Sequence, residues 1–331
     1  MRLSDQQILS CVSNSALQLI LMPTEQCNFR CTYCWESFAR GRMKGWVVSA
    51  VKRLLNRRNL DLEWLVLDWF GGEPLLAMNI VEEIQNHVLG LLRSRPNLVL
   101  QSAMTTNAFL LDHDRLTRLL DLGIDEFSIA LDGPKELHDN TRVTSQGSGT
   151  FDRIWANLLA ARQLDQTFKI VVRLQIGQGS AEFVPDFFNI YREELKGDER
   201  FELAIVPLRN FHPALGEPVV SKRHREIVSA ARKRAESMGL AVCSSPNELS
   251  VCHAARANTF IVRPNGALCK CPVALDHPQN RVGTLLEDGR VKIDDQKMSR
   301  WMRGLESGDE TELSCPMIGL ADERDQFQES R

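Results

Sequence analysis

Thr24-Glu25-Gln26-Cys27-Asn28-Phe29-Arg30-Cys31-Thr32-Tyr33-Cys34-Trp35 sets three cysteines in a C-x3-C-x2-C spacing on one short stretch. It follows Leu17-Gln18-Leu19-Ile20-Leu21-Met22, an apolar run the length of a buried strand. Three thiolates this close suit a soft multi-iron centre or zinc. Structural zinc sites usually take four ligands from two C-x2-C pairs, and here no fourth Cys or His is nearby. Three Cys on a cubane leave one iron open to a substrate or cofactor. The competing readings are a degenerate zinc knuckle and chance cysteines in a loop.

Outward from this loop, short apolar runs at 17–23, 64–70, 98–105, 126–131, 168–176 and 202–207 read as strands. Amphipathic stretches at 47–57, 78–94, 113–122, 151–164, 182–195 and 222–238 read as helices, with Asp112 as N-cap and Gly123 just past the C-terminus of the third. Six βα units predict an α/β protein with a parallel sheet, helices on its outer face and right-handed crossovers. They are too few for a closed eight-stranded barrel, so a partial, open barrel is expected, with chemistry at the carboxyl ends of its strands.

Composition agrees. The 331 residues are 43% hydrophobic and 25% charged, with a net charge of −3. That excludes wholesale disorder and removes the usual electrostatic argument for nucleic acid. Residues 1–7 show no secretory h-region, and no apolar run approaches a membrane span. A cytoplasmic protein without a membrane partner is expected, in which clustered Cys are ligands rather than staples.

The Cys loop resembles the cluster loop of the radical S-adenosylmethionine (SAM) superfamily, whose fold is a partial (β/α)6 barrel. The resemblance implies that Cys27, Cys31 and Cys34 ligate a [4Fe-4S] cluster whose fourth iron is chelated by SAM. Reductive cleavage there gives methionine and a hydrogen-abstracting 5′-deoxyadenosyl radical. Tyr33 matches the position near the adenine. Further segments match in order: Gly71-Gly72-Glu73-Pro74 resembles the GGEP loop that holds the methionyl amino group, and Thr105-Thr106-Asn107 resembles a segment lining the cofactor cleft. The run from His138 to Arg142, then Gly149 to Ile154, resembles that of the subgroup that modifies peptides and proteins. There, a strand Ser and the following Arg contact the cofactor carboxylate, here Ser128 and Arg142. Ser128, Ala130 and Asp132 share one strand face. Asp132, Glu73 and Asp68 lie at strand ends as candidate bases, with Asp132 the favoured catalytic residue; a turn role is its bland alternative.

Beyond residue 240 the helical pattern fades. Phe260 to Cys269 reads as a hairpin turning at Asn265-Gly266. Cys252, Gly266 and Cys271 form a C-x13-G-x4-C unit resembling the opening of a SPASM domain, but after Cys271 only Cys315 remains. This resembles the truncated, twitch-like form, which implies one auxiliary [4Fe-4S] cluster held by Cys252, Cys271 and Cys315. Cys269, two residues from Cys271 and on the same strand face, Cys243, or an open iron completes it. Cys11 reads as a core residue. The missing cysteines disfavour sulfatase maturation. The expected organisation is an N-terminal arm (1–16), a radical SAM core (17–240), an auxiliary iron–sulfur region (241–320) and a frayed tail (321–331).

The expected function is a maturase of ribosomally made peptides, installing a crosslink or an epimerised residue, with ferredoxin or flavodoxin as electron donor. The alternatives are a twitch-type enzyme on a sugar or cyclitol, and a zinc-stapled binding module without catalysis.

Overall fold

The computed structural model describes residues 4–177, 181–208, 222–243 and 251–320; the expected frayed tail lies outside them. A short helix α1 (Asp5–Val12), closed by a Ser4–Gln7 capping box, leads into β1 (Ala16–Leu21). The βα series then runs α2 (Gly45–Arg58), β2 (Trp64–Trp69), α3 (Met78–Ser94), β3 (Val99–Thr106), α4 (His113–Asp121), β4 (Glu126–Leu131), α5 (Lys135–Thr141), α6 (Phe151–Ala161), β5 (Lys169–Ile176), α7 (Val184–Leu195), β6 (Phe201–Pro207) and α8 (Lys222–Ser237). The expected strands and helices stand within a few residues of their sequence limits. Asp112 caps α4 by accepting from the Arg115 N–H, and Gly123 follows at φ +77°. Helix α5 is too short to show periodicity and went unread.

Strands β1 to β6 lie parallel and in chain order. Burial alternates along them: in β5, Ile170, Val172, Leu174 and Ile176 are buried under the helices, while Val171, Arg173 and Gln175 are half-buried on the inner face. One face is thus an apolar seal and the other a polar wall, the geometry of a partial barrel open to a ligand.

The C-terminal strands β7 (Thr259–Val262), β8 (Ala267–Cys269), β9 (Arg281–Leu285) and β10 (Val291–Ile293) extend the same sheet. β7 pairs parallel with β1, and the rest follow antiparallel. The expected hairpin is β7–β8. Gly266 turns it at φ +79°, where a Cβ would also lie 2.5 Å from the Trp46 ring. Helices α9 (Asp295–Ser307) and α10 (Glu310–Ser314) close the region.

A buried ion pair ties this region to the Cys loop. Arg263 Nε donates to Glu25 Oε1 at 2.8 Å, with both side chains almost fully enclosed. Arg263 also reaches Asp276 and the Leu275 carbonyl. Removing one partner strands the other charge, so Arg263→Ala should lower stability by about 3–5 kcal/mol, read by denaturant unfolding.

Candidate functional site

The three-Cys loop leaves the carboxyl end of β1 and is held by its neighbour. Gly71 (φ +119°) and Gly72 press against it so closely that an added Cβ would lie 2.3 Å from the Thr24 carbonyl oxygen and 2.4 Å from that of Gln26. Gly72 N–H donates to Thr24 O and Glu73 N–H to Gln26 O. In this structure the backbone these glycines admit is the Cys loop itself. Glu73 is fully buried and accepts from Leu75 N, Thr106 Oγ1 and Asn107 N at 2.7–3.0 Å. That ties the β2 loop to the end of β3 and occupies three of the roughly four acceptor positions of a carboxylate. Pro74 starts the short 3-10 turn that follows.

Cys27, Cys31 and Cys34 lie within electrostatic reach of one another, and burial raises all three thiols, Cys27 to about 12 and Cys34 to about 11. Phe29 N–H donates to Cys27 Sγ, and Asn107 Nδ2 bridges toward the same sulfur and to Asn28 Oδ1. Among the described residues no three such side chains converge on a single ion. Three closely spaced Cys donors are the kind of ligand set an iron–sulfur cluster takes from protein.

Over the barrel mouth lies a buried polar network. Tyr33 OH donates to Asp132 Oδ1 at 3.0 Å and accepts from Arg142 Nη1 at 2.8 Å and Gln175 Nε2 at 3.2 Å. Thr141 Oγ1 donates to Asp132 Oδ2 at 2.6 Å. Burial raises the Asp132 carboxyl, against the pull of Arg142. Burial also opposes the Arg142 charge, but Tyr33, Cys31 and Asp132 outweigh it and raise this guanidinium. Arg142 Nε is buried with no partner among the described residues, an orphan donor beside the thiols that fits an anionic cofactor group. Ser128 faces inward, in register with Thr105 and Val171.

All nine cysteines carry free thiols. Cys252, Cys271 and Cys315 are gathered from the starts of two 3-10 turns and the end of α10; burial, then the neighbouring thiols, raise Cys252 and Cys271, the latter to about 12. Cys269 and Cys243 do not join them. β8 ends at Cys269, so the strand alternation expected to align it with Cys271 is broken: Cys269 packs with Ile20, Met22 and Leu275, Cys271 with Trp301 and Val282. Cys243 lies beyond β6, its thiol on Glu202 Oε2 at 3.1 Å. Cys11 is a core residue. Lys270, unmarked in the sequence, is buried beside the second trio with Nζ on the Thr259 carbonyl at 2.6 Å, and burial lowers it to about 7.

Residues 21–184 match the family described as the Radical SAM superfamily. A cysteine-type anaerobic sulfatase-maturating enzyme of Clostridium perfringens is 30% identical over 149 residues, 42% of this chain and 39% of that protein. The chain spans about two-fifths to half the length of the curated relatives it matches. Among solved structures, native anSMEcpe with bound AdoMet and Cp18Cys peptide superposes at a TM-score of 0.64, with 20% identity over 86% of this chain and 80% of that one. Streptococcus suis SuiB bound to its precursor peptide SuiA gives 0.57, with 16% identity over 81% and 62%. These likenesses bear on the fold. No helix among the described residues is long and apolar enough to cross a membrane.

His138 supports the network from below. Its ring lies on Thr150 Oγ1 and near the Asp132 N–H, and burial, then Arg142, lowers its pKa from 6.5 to about 2. The unfolded chain takes up this proton below pH 6.5 and the folded chain does not. Stability contributed by neutral His138 is therefore complete above pH 6.5 and falls by about 1.4 kcal/mol per pH unit below it. Urea unfolding on both sides of that pH should show the loss, and His138→Gln should remove this part of the slope.

Proposed function

Because this chain belongs to the radical SAM superfamily, we propose that it is a peptide- or protein-modifying enzyme that opens its reaction by cleaving SAM at the Cys27–Cys31–Cys34 loop. The observation that carries the reading is the seam between the Cys loop and Gly71-Gly72-Glu73, set at parallel strand ends above a polar inner wall. When bound, a [4Fe-4S] cluster with SAM supplies a 5′-deoxyadenosyl radical for hydrogen abstraction. The protein's own part is positional. Three thiolates hold the metal. Arg142 and Ser128 receive the cofactor carboxylate, and Asn107 orients the Cys27 sulfur. Tyr33, hydrogen-bonded to Asp132, closes one side of the cleft and keeps water from it. Asp132 is the candidate proton acceptor, its carboxyl raised by burial and relieved by Tyr33 and Thr141.

The second trio supports one auxiliary cluster at Cys252, Cys271 and Cys315. Cys243 and Cys269 pack elsewhere, so three thiols of the chain would hold it. Such a centre would supply electron-transfer chemistry beside the barrel. A peptide substrate is supported by the fold shared with anSMEcpe and SuiB, whose structures hold peptides. A ferredoxin or flavodoxin is the proposed electron source.

The test is anaerobic reconstitution of the full chain, followed by 5′-deoxyadenosine formation with and without short peptides encoded beside its gene. Peptide-stimulated cleavage with a mass change in the peptide is expected; stimulation by a sugar or cyclitol alone would sink the peptide reading. Cys31→Ala should abolish cleavage. Joint replacement of Cys252, Cys271 and Cys315 by Ala should remove about four irons per chain, counted by metal analysis. Zinc without iron would overturn the assignment altogether.

A further inference from the structure

One cation of the inner wall has no role so far. Arg173 stands on β5, two residues before Gln175, on the face that looks into the barrel. Its register partners on both flanking strands are alanines, Ala130 on β4 and Ala204 on β6. In a parallel sheet such partners share a face. The lateral neighbours of Arg173 are therefore methyl groups, which offer its guanidinium neither a hydrogen bond nor a charge.

Nor is the charge matched. Arg173 makes no hydrogen bond or ion pair among the described residues. The carboxylate near it, Asp132, is committed to Tyr33 and Thr141. Burial and the adjacent Arg142 charge depress the Arg173 guanidinium. Arg142 and Asp132 thus both lie within electrostatic reach of Arg173. A half-buried guanidinium on the inner wall with no protein partner among the described residues keeps its donors free for an anion that enters the barrel.

From this arrangement we infer that Arg173 is the receptor for a carboxylate of the substrate, an Asp or Glu side chain or a chain terminus, held on the inner wall next to the reacting position. This rests on the peptide reading above for the identity of the substrate, but the anion site itself does not. The two-donor fork of a guanidinium matches a carboxylate, and unmodified peptides carry no other anion at neutral pH. Arg142 is already assigned to the cofactor carboxylate, so the two guanidiniums divide two anions between them. Anchoring the carboxylate would fix which residue of the peptide meets the radical, since a displacement of about 1 Å at the reacting carbon can cost about a hundredfold in rate.

The site can be probed without knowing the peptide. Thermal unfolding of the anaerobically reconstituted full chain, saturated with SAM, should show a saturable rise of about 2 °C or more with millimolar glutarate and none with glutaramide. Arg173→Gln should weaken that response at least tenfold. Arg173→Lys, which keeps the charge and loses the fork, should weaken it less and decides the matter if the first variant does not fold. Three results would overturn the inference: no response in the parent chain, an undiminished response in folded Arg173 variants, or a glutarate response that SAM competes away, which would make Arg173 part of the cofactor's own carboxylate site. Absence of any peptide-stimulated cleavage would instead remove the peptide reading and leave the glutarate result standing.

Discussion

The backbone of Gly71-Gly72 lies against the backbone of Thr24 to Gln26 with no room for a side chain between them, and most of the site's order follows from that contact. Two loops from adjacent strands become one ledge, since the N–H groups of Gly72 and Glu73 donate to carbonyls of the Cys loop. Glu73 then carries the ledge to a third strand through Thr106 and Asn107, and Asn107 returns to the Cys27 sulfur. Three thiols on a free loop would lose orientation to chain entropy; here the loop backbone is tied to the end of β2.

The mouth of the barrel holds more buried charge than a protein interior normally tolerates. Arg142, Asp132 and Glu73 are buried within a few strands of one another, with half-buried Arg173 beside them, and the hydrogen bonds of Tyr33, Thr141 and Gln175 compensate them only in part. Such a region is expected where ligands complete the electrostatics. The apolar seal on the other face, from Trp69 through Phe127 to Ile205, supplies the stability that allows it.

The second trio of cysteines is joined to the first through the same sheet. Because β7 pairs with β1, the strand that leads into the Cys27–Cys34 loop also anchors the C-terminal strands. The Glu25–Arg263–Asp276 network, with Arg40 at its rim, sits at this junction, and Trp35 Nε1 donates to the Pro272 carbonyl just past Cys271. The two thiol loops are thus linked by a continuous set of bonded neighbours.

Much of this was legible in the chain. Period-two and longer periodicities located the six strands and six helices, because burial of one face forces the pattern into the sequence. The C-x3-C-x2-C and Gly-Gly-Glu-Pro segments were legible because each fits inside one loop. What the sequence could not decide involved partners far apart in it. That Glu73 would brace β3, that Arg263 would meet Glu25, and that Cys269 and Cys271 would face different clusters all depend on strand order and on where a strand ends. Arg173 is the clearest instance. In sequence it is one cation in an alternating strand, and only the register that sets an alanine on either side of it exposes a charge without a mate. The linear pattern determined which residues are inside; lateral pairing of the strands decided what each of them meets there.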